Sequence, residues 1–355
     1  MLSESARVLI PSVVSFAIGI ALAPALAHFL YRHALWKKRA GKGNGIGDGN
    51  GTPLFDELHK EREVSTPRMG GVLIWVATLV TTLGITLLGR VFGEPFSSLD
   101  FLSRSQTWLP LFALAIGALV GLVDDVLEVT RAKGGLLLRY RLLTVAVIGL
   151  FAAWWFYAKL GVSAIGMPFI MGGSLQLGWL FIPFFILVML AVYAGGTIDG
   201  IDGLAGGVFA VIFMAYAGIA FVQGQSALAA FAATVAGAVL AFLWFNIPPA
   251  RFYMSETGSM ALTVALTITA FSADMLGDGI GVFVLPLIAL PLTATVITTV
   301  VQVLAKKLGF KKPFLIVPIH HHFEALGWPP YKVVMRYWVI TIIAGVLGLA
   351  LALVR

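Results

Sequence analysis

The sequence predicts an all-α integral membrane protein with ten transmembrane helices, organised as a single polytopic domain over residues 1–355. Three observations lead there: composition, the lengths of the apolar runs, and the placement of the basic residues. Of 355 residues, 59% are hydrophobic and 12% charged, and the mean hydropathy is +0.95, far from the balance of a soluble globular domain. Apolar runs of roughly 17–25 residues, the length that crosses hydrocarbon, occur ten times. The loops 31–68, 124–141, 246–258 and 306–336 carry 19 of the 24 lysines and arginines. Basic loops stay on the cytoplasmic side, so both termini are expected outside, on the periplasmic face. The net charge of +7 thus reflects topology, and no nucleic-acid partner is expected.

Taken in order, the first run, Val8 to Leu30, is long and lacks a small-residue exit, so it reads as a retained helix and not a removed signal peptide. The loop after it holds "GKGNGIGDGNGT", residues 41–52, which fits neither the dinucleotide nor the phosphate-loop glycine spacing and reads as a flexible linker. The second run, Met69 to Val91, follows "STPRMGG". The third, Thr107 to Val123, ends at Asp124 and Asp125. The fourth and fifth span Leu142 to Leu160 and Gly178 to Thr197, and "GGTIDGIDGLAGG" joins the fifth to the sixth, Leu204 to Val222. The seventh, Ala227 to Phe245, leads through Asn246 to Glu256. The eighth to tenth are Met260 to Leu276, Gly281 to Ala305 and Val334 to Val354, the last preceded by His320, His321 and His322.

Once the spans are drawn, the acidic and imidazole groups segregate. Asp124, Asp125, Asp199, Asp202, Glu256 and the three histidines all fall at helix exits on the cytoplasmic face. Any one of them alone reads equally well as a solvated loop residue, because charges at helix ends reach headgroups or water. Together they point to a cytoplasmic active-site cleft. Clustered carboxylates offer hard oxygen ligands suited to magnesium, with substrate phosphate completing the shell. Lys133, Arg139, Arg141 and Arg251 are placed to neutralise phosphate, although the inside bias explains them too. With no cysteine in the chain, disulfides and thiolate metal sites are excluded. Three consecutive histidines diverge on any backbone and make a poor metal cluster, so they are expected in a substrate-contacting loop. A transporter would need ionisable groups near the span centres, and these centres hold essentially none.

The strings "GLVDDVLEV", "IDGIDGLA", "FLWFNIPPARFYMSETGSMAL" and "PIHHHFEALGWPPYKVVMRYW" resemble successive motifs of the phospho-N-acetylmuramoyl-pentapeptide transferases, within the polyprenyl-phosphate N-acetylhexosamine-1-phosphate transferase superfamily. "STPRMGG" is similar as well, and the likeness runs from about Ser65 to the C-terminus. The histidine string is the part typical of the muramoyl-pentapeptide branch.

The resemblance implies a magnesium-dependent transfer of phospho-N-acetylmuramoyl-pentapeptide from UDP-MurNAc-pentapeptide to undecaprenyl phosphate, giving lipid I and UMP for peptidoglycan synthesis. It further implies a homodimer in the bacterial inner (cytoplasmic) membrane. By residue, it makes Asp124 the base toward the lipid phosphate, and Asp125 and Glu256 catalytic and metal-binding. Asn246, Asp199, Asp202, Lys133, His320, His321 and His322 become substrate contacts. Five departures stand out. Glu256 occupies the place of a magnesium-binding aspartate, Gly196 and Ile198 that of asparagine and threonine, Glu128 that of a lysine, and Arg68 that of a threonine. They keep open a relative with another UDP-N-acetylhexosamine donor, or an impaired paralogue.

Overall fold

A computed structural model of the chain describes residues 3–37, 64–103, 106–131, 134–168, 173–275 and 279–353. The glycine-rich segment 41–52 and Lys133 lie outside them. The helices are α1 (Glu4–Arg32), α2 (Val72–Phe92), α3 (Trp108–Thr130), α4 (Leu138–Trp154, extended by a π turn to Lys159), α5 (Phe181–Gly195), α6 (Leu204–Val222) and α7 (Ser226–Asn246). They continue with α8 (Ser255–Met275), α9 (Gly281–Ile288), α10 (Leu290–Lys307), α11 (Ile319–Ala325) and α12 (Pro330–Leu353).

Eight helical segments among the described residues are long and apolar enough to span a bilayer: α1, α2, α3, α4 with its π turn, α5 with its flanking 3₁₀ turns, α6, α7 and α12. Large apolar side chains at mid-helix positions, including Leu87, Val147, Leu187 and Val346, point outward. In water such a surface would aggregate; in a bilayer it meets lipid, while the helices satisfy their own backbone groups. The protein is therefore a multi-pass, all-α membrane protein.

The ninth predicted run is not one straight rod. It divides into α9 and α10, bent by 75° at Ala289. Pro291 lies in the first turn of α10, where its missing N–H is tolerated and continuation from the preceding turn is broken. Counting the pair as one span gives up to nine. The eighth predicted run is α8, the most enclosed helix of the bundle. From Ser255 to Asp274 every residue but Glu256 is buried. Enclosure suits its serines and threonines: Thr263, Thr267 and Thr269 donate their hydroxyls to carbonyls one turn back at 2.7, 3.0 and 2.8 Å, and α3 packs along its length.

One small sheet departs from the all-α expectation. Ala164–Gly166 (β1) pairs antiparallel with Ser174–Gln176 (β2), with Ile165 opposite Leu175. The hairpin is held from outside by Asp274, at the end of α8 opposite Glu256, whose Oδ1 accepts the Gly166 N–H at 2.8 Å. Around α8 an aromatic cluster fills the gap to α4 and α5, with Phe185 and Phe271 rings 4.1 Å apart. On its other side α1, α2, α6, α7 and α12 share a second apolar core rich in alanine, the small residues that let membrane helices approach closely.

Candidate active site

The N-terminus of α8 is the point on which the charged groups converge. A helix start leaves backbone N–H groups without partners and concentrates positive potential there. Here other helices supply the acceptors. Asp199, just beyond α5, accepts the Ser255 N–H at 2.9 Å through Oδ2. Asp125, fully buried near the end of α3, accepts from Glu256 N (3.2 Å), Thr257 N (2.9 Å) and the Thr257 hydroxyl (2.6 Å). Two aspartates from different helices thus cap α8 and fix where Glu256 begins. Asp199 is partly buried, and desolvation pushes its carboxyl up to about 6.

With its backbone fixed, the Glu256 side chain turns into the cleft. Its Oε1 meets Arg141 Nη1 at 2.8 Å, and the Tyr193 hydroxyl lies 3.4 Å from both carboxylate oxygens. Arg141, in the first turn of α4, also reaches Asp124 Oδ2 through Nη2 at 2.9 Å. The other Asp124 oxygen accepts the Leu136 N–H from the segment between α3 and α4. Asp124 and Glu256 therefore face one another across a single guanidinium.

Beside this clamp lies a second charged cluster. Arg68 Nη2 is 2.9 Å from Glu128 Oε2, Arg68 Nε is 3.8 Å from Asp125 Oδ1, and Lys37 Nζ is 3.2 Å from Glu128 Oε1. Two of the departures noted from the sequence, Arg68 and Glu128, are thus partners in one ion pair. The positive charge absent from position 128 is restored by Arg68 from the segment before α2.

The remaining sequence-derived residues divide into those near this point and those that brace it. Asp202 Oδ2 accepts the Ala250 N–H at 3.1 Å. Asn246 is buried, with its carbonyl accepting from Gly203 N at 2.9 Å and its amide donating to Phe252 O at 3.0 Å. Both residues fasten the segment 246–254 to residues 199–203. The three histidines lie on a short helix, α11, and not in an irregular loop. His320 and His321 are buried against Gly200: a Cβ there would stand 2.7 Å from His320 Nε2 and 2.6 Å from His321 Nε2, so only glycine permits this approach. Glu324 orients His321, its Oε2 lying 2.7 Å from Nδ1, and His322 Nδ1 accepts the Leu315 N–H at 3.2 Å.

Sequence reasoning placed Arg141 only among general phosphate neutralisers and gave Tyr193, Thr257 and Arg68 no part in the site. A lone phenol in the apolar string "LVMLAVYAGG" was the available signal for Tyr193. For Arg141 there was none beyond its charge.

As a donor set, Asp124 and Glu256 present hard oxygens to one point occupied by a cationic side chain. That fits a magnesium ion, which takes one or two carboxylates and completes its shell with water and substrate phosphate. Among the described residues no group of three or more acidic or histidine side chains is arranged to hold a metal on protein ligands alone.

A glycosyl transferase family 4 model matches residues 107–274, the stretch from α3 to α8 that contains both aspartate pairs and Glu256. The class is a membrane-embedded glycosyl transferase. Over 316 residues, 82% of this chain and 81% of the relative's, the sequence is 31% identical to the phospho-N-acetylmuramoyl-pentapeptide-transferase of Pelagibacter ubique (strain HTCC1062). It is 33% identical over 340 residues, 90% and 87% of the two chains, to the protein of the same name from Ruegeria sp. (strain TM1040). The chain belongs to the phospho-N-acetylmuramoyl-pentapeptide-transferase family.

Proposed function

We propose that this protein transfers phospho-N-acetylmuramoyl-pentapeptide from UDP-MurNAc-pentapeptide to undecaprenyl phosphate, forming lipid I and releasing UMP at the cytoplasmic face of the bacterial inner membrane. The observation that carries this reading is the convergence of Asp124, Glu256 and Arg141 at one end of an apolar bundle, beside residues 199–203 and the histidine helix. A lipid-borne phosphate and a water-soluble nucleotide can meet only at such an end. In the same reading α8 and the bent α9–α10 pair are both spans, making ten, with the basic loops inside, the termini outside, and two copies forming a homodimer.

Phosphoryl transfer depends mainly on positioning and charge neutralisation. An oxygen of the lipid phosphate bonds to the sugar-linked phosphorus of the donor while the bond from that phosphorus to the UMP oxygen breaks. Asp124 takes the proton of the attacking phosphate, and Arg141 neutralises phosphate oxygens through its planar fork. His320 and His321, packed on Gly200, line the nucleotide-sugar side. Glu256 would hold the magnesium ion together with Asp124, in place of the Asp125 that the resemblance implies, because the Asp125 oxygens are taken by the N-terminus of α8; when bound, the ion supplies charge stabilisation on the phosphate oxygens. Asp125 and Asp199 keep Glu256 in register.

The test supplies undecaprenyl phosphate with either UDP-MurNAc-pentapeptide or UDP-GlcNAc and magnesium. Lipid-linked product and UMP are expected from the first donor. Product from the second alone would replace this reading with a transferase of another UDP-N-acetylhexosamine, the option that Glu256 and Gly196 raise.

A further inference from the structure

Arg141 does more in this structure than add positive charge. Its guanidinium joins two carboxylates from different helices, α3 and α8, donating from Nη1 to Glu256 Oε1 at 2.8 Å and forming an ion pair through Nη2 with Asp124 Oδ2 at 2.9 Å. Nothing else bridges Asp124 to Glu256 among the described contacts, so a single cation occupies the point toward which both hard-oxygen groups are aimed. The clamp is also incomplete. Arg141 Nε is buried and makes no hydrogen bond among the described residues, so one of the five guanidinium donors is left unused.

The surroundings are made to fit this pair closely. At Gly135 a Cβ would lie 2.4 Å from Asp124 Oδ1 and 3.1 Å from Arg141 Nη2, so the backbone closes over the ion pair where a side chain could not. Charge balance points the same way. Asp124, Asp125, Glu128 and Glu256 face Lys37, Arg68 and Arg141, leaving one negative charge in excess when all are ionised. Such a site accepts a further cation more readily once its resident cation can leave, and Arg141 is the member whose two partners are those that fit a divalent ion.

We propose that Arg141 is an exchangeable counter-ion: it holds Asp124 and Glu256 together in the empty enzyme, yields both carboxylates to a divalent cation, and then binds the phosphates of the UDP-linked donor. This deepens the transferase reading and rests on it for the identity of the donor. Arg141 positions the carboxylates in one state and touches substrate in the other. The exchange makes metal and donor binding interdependent, because the same cation arrival that fills the carboxylate site frees the guanidinium.

The test uses the purified full chain in lipid nanodiscs and reads binding, not turnover. Mn2+ affinity is measured by electron paramagnetic resonance of the free ion for the wild type, Arg141→Met and Arg141→Met/Glu256→Gln. Losing a positive charge within about 4 Å of the metal position is expected to tighten Mn2+ binding at least about tenfold, and the added Glu256→Gln change is expected to abolish that gain. By calorimetry with metal present, Arg141→Met is expected to bind the UDP-linked donor at least about tenfold more weakly, with Arg141→Lys recovering part of the loss. A residue that merely supported the carboxylates would weaken Mn2+ binding when removed, the opposite sign.

Unchanged or weaker Mn2+ affinity in Arg141→Met overturns the proposal, as does unchanged donor affinity. A second measurement needs no variant: phenylglyoxal labelling of Arg141 in the wild type, read by peptide mass spectrometry, is expected to rise when Mg2+ is added without donor. Constant labelling would also overturn the exchange. Failure of the transferase reading shows separately, as release of no UMP by the wild type from either donor.

Discussion

The two ends of α8 carry buried carboxylates in opposite arrangements. At the far end Asp274 is 1% exposed, and both of its oxygens are taken by backbone donors, Gly166 N at 2.8 Å and Val282 N at 3.1 Å. At the near end Asp125 and Asp199 accept backbone N–H groups of α8, whereas Asp124, which also accepts the Leu136 N–H, and Glu256 are joined through the side chain of Arg141. Backbone donors cannot leave without unfolding, whereas a side-chain cation can. The difference separates carboxylates that hold the fold from carboxylates open to exchange with metal and substrate, although all are buried or nearly so and all sit on or beside one helix.

Substitutions at the two ends sharpen that contrast. Glu256→Ala is expected to lower magnesium-dependent UMP release by at least about a hundredfold with little change in thermal unfolding. Glu256→Asp, which keeps the carboxylate, is expected to retain or raise activity; a large loss would mean the cleft is built around the longer side chain. Asp125→Ala strips acceptors from two backbone N–H groups and a hydroxyl of α8. It is expected to lose about 2–3 kcal/mol of stability together with activity, and Asp125→Asn is expected to abolish UMP release too. Asp274→Ala is expected to cost about 2 kcal/mol, read by thermal unfolding, while UMP release per folded molecule stays near wild type. The smallest effect belongs to Tyr193→Phe: its 3.4 Å contacts to Glu256 are long, and a change in activity below about threefold is expected.

How far the sequence revealed this arrangement depended on whether the signal was local. Apolar run length is local, and it located the eight straight spans. The break at Ala289 was marked by Pro286 and Pro291 inside the run Gly281 to Ala305, but an unbroken apolar string masks a bend. The hairpin 164–176 gave no warning, because three-residue strands have no readable period and Asp274, which anchors β1, lies 108 residues away from Gly166. The enclosure of α8 was foreshadowed only by its threonines.

Within the site, residue type was legible and pairing was not. Carboxylates at helix exits announced a charged cleft, yet nothing in "DD" separates Asp124, which faces Arg141, from Asp125, which caps α8; that follows from the 100° step between neighbours on a helix. The resemblance made Asn246 a substrate contact, and in the fold both ends of its amide meet backbone. Arg68 and Glu128 each looked like an isolated departure, and only their 2.9 Å approach makes them one exchange of charge.

Transfer is expected to depend on the carboxylates paired with Arg141 at the start of α8 and not on the backbone-paired Asp274 at its end. The most direct measurement is UMP release from UDP-MurNAc-pentapeptide and undecaprenyl phosphate by Glu256→Ala and Asp274→Ala, each normalised to folded protein. Glu256→Ala is expected to be nearly inactive and Asp274→Ala near wild type. Full activity in Glu256→Ala, or equal losses in both variants, would contradict that dependence.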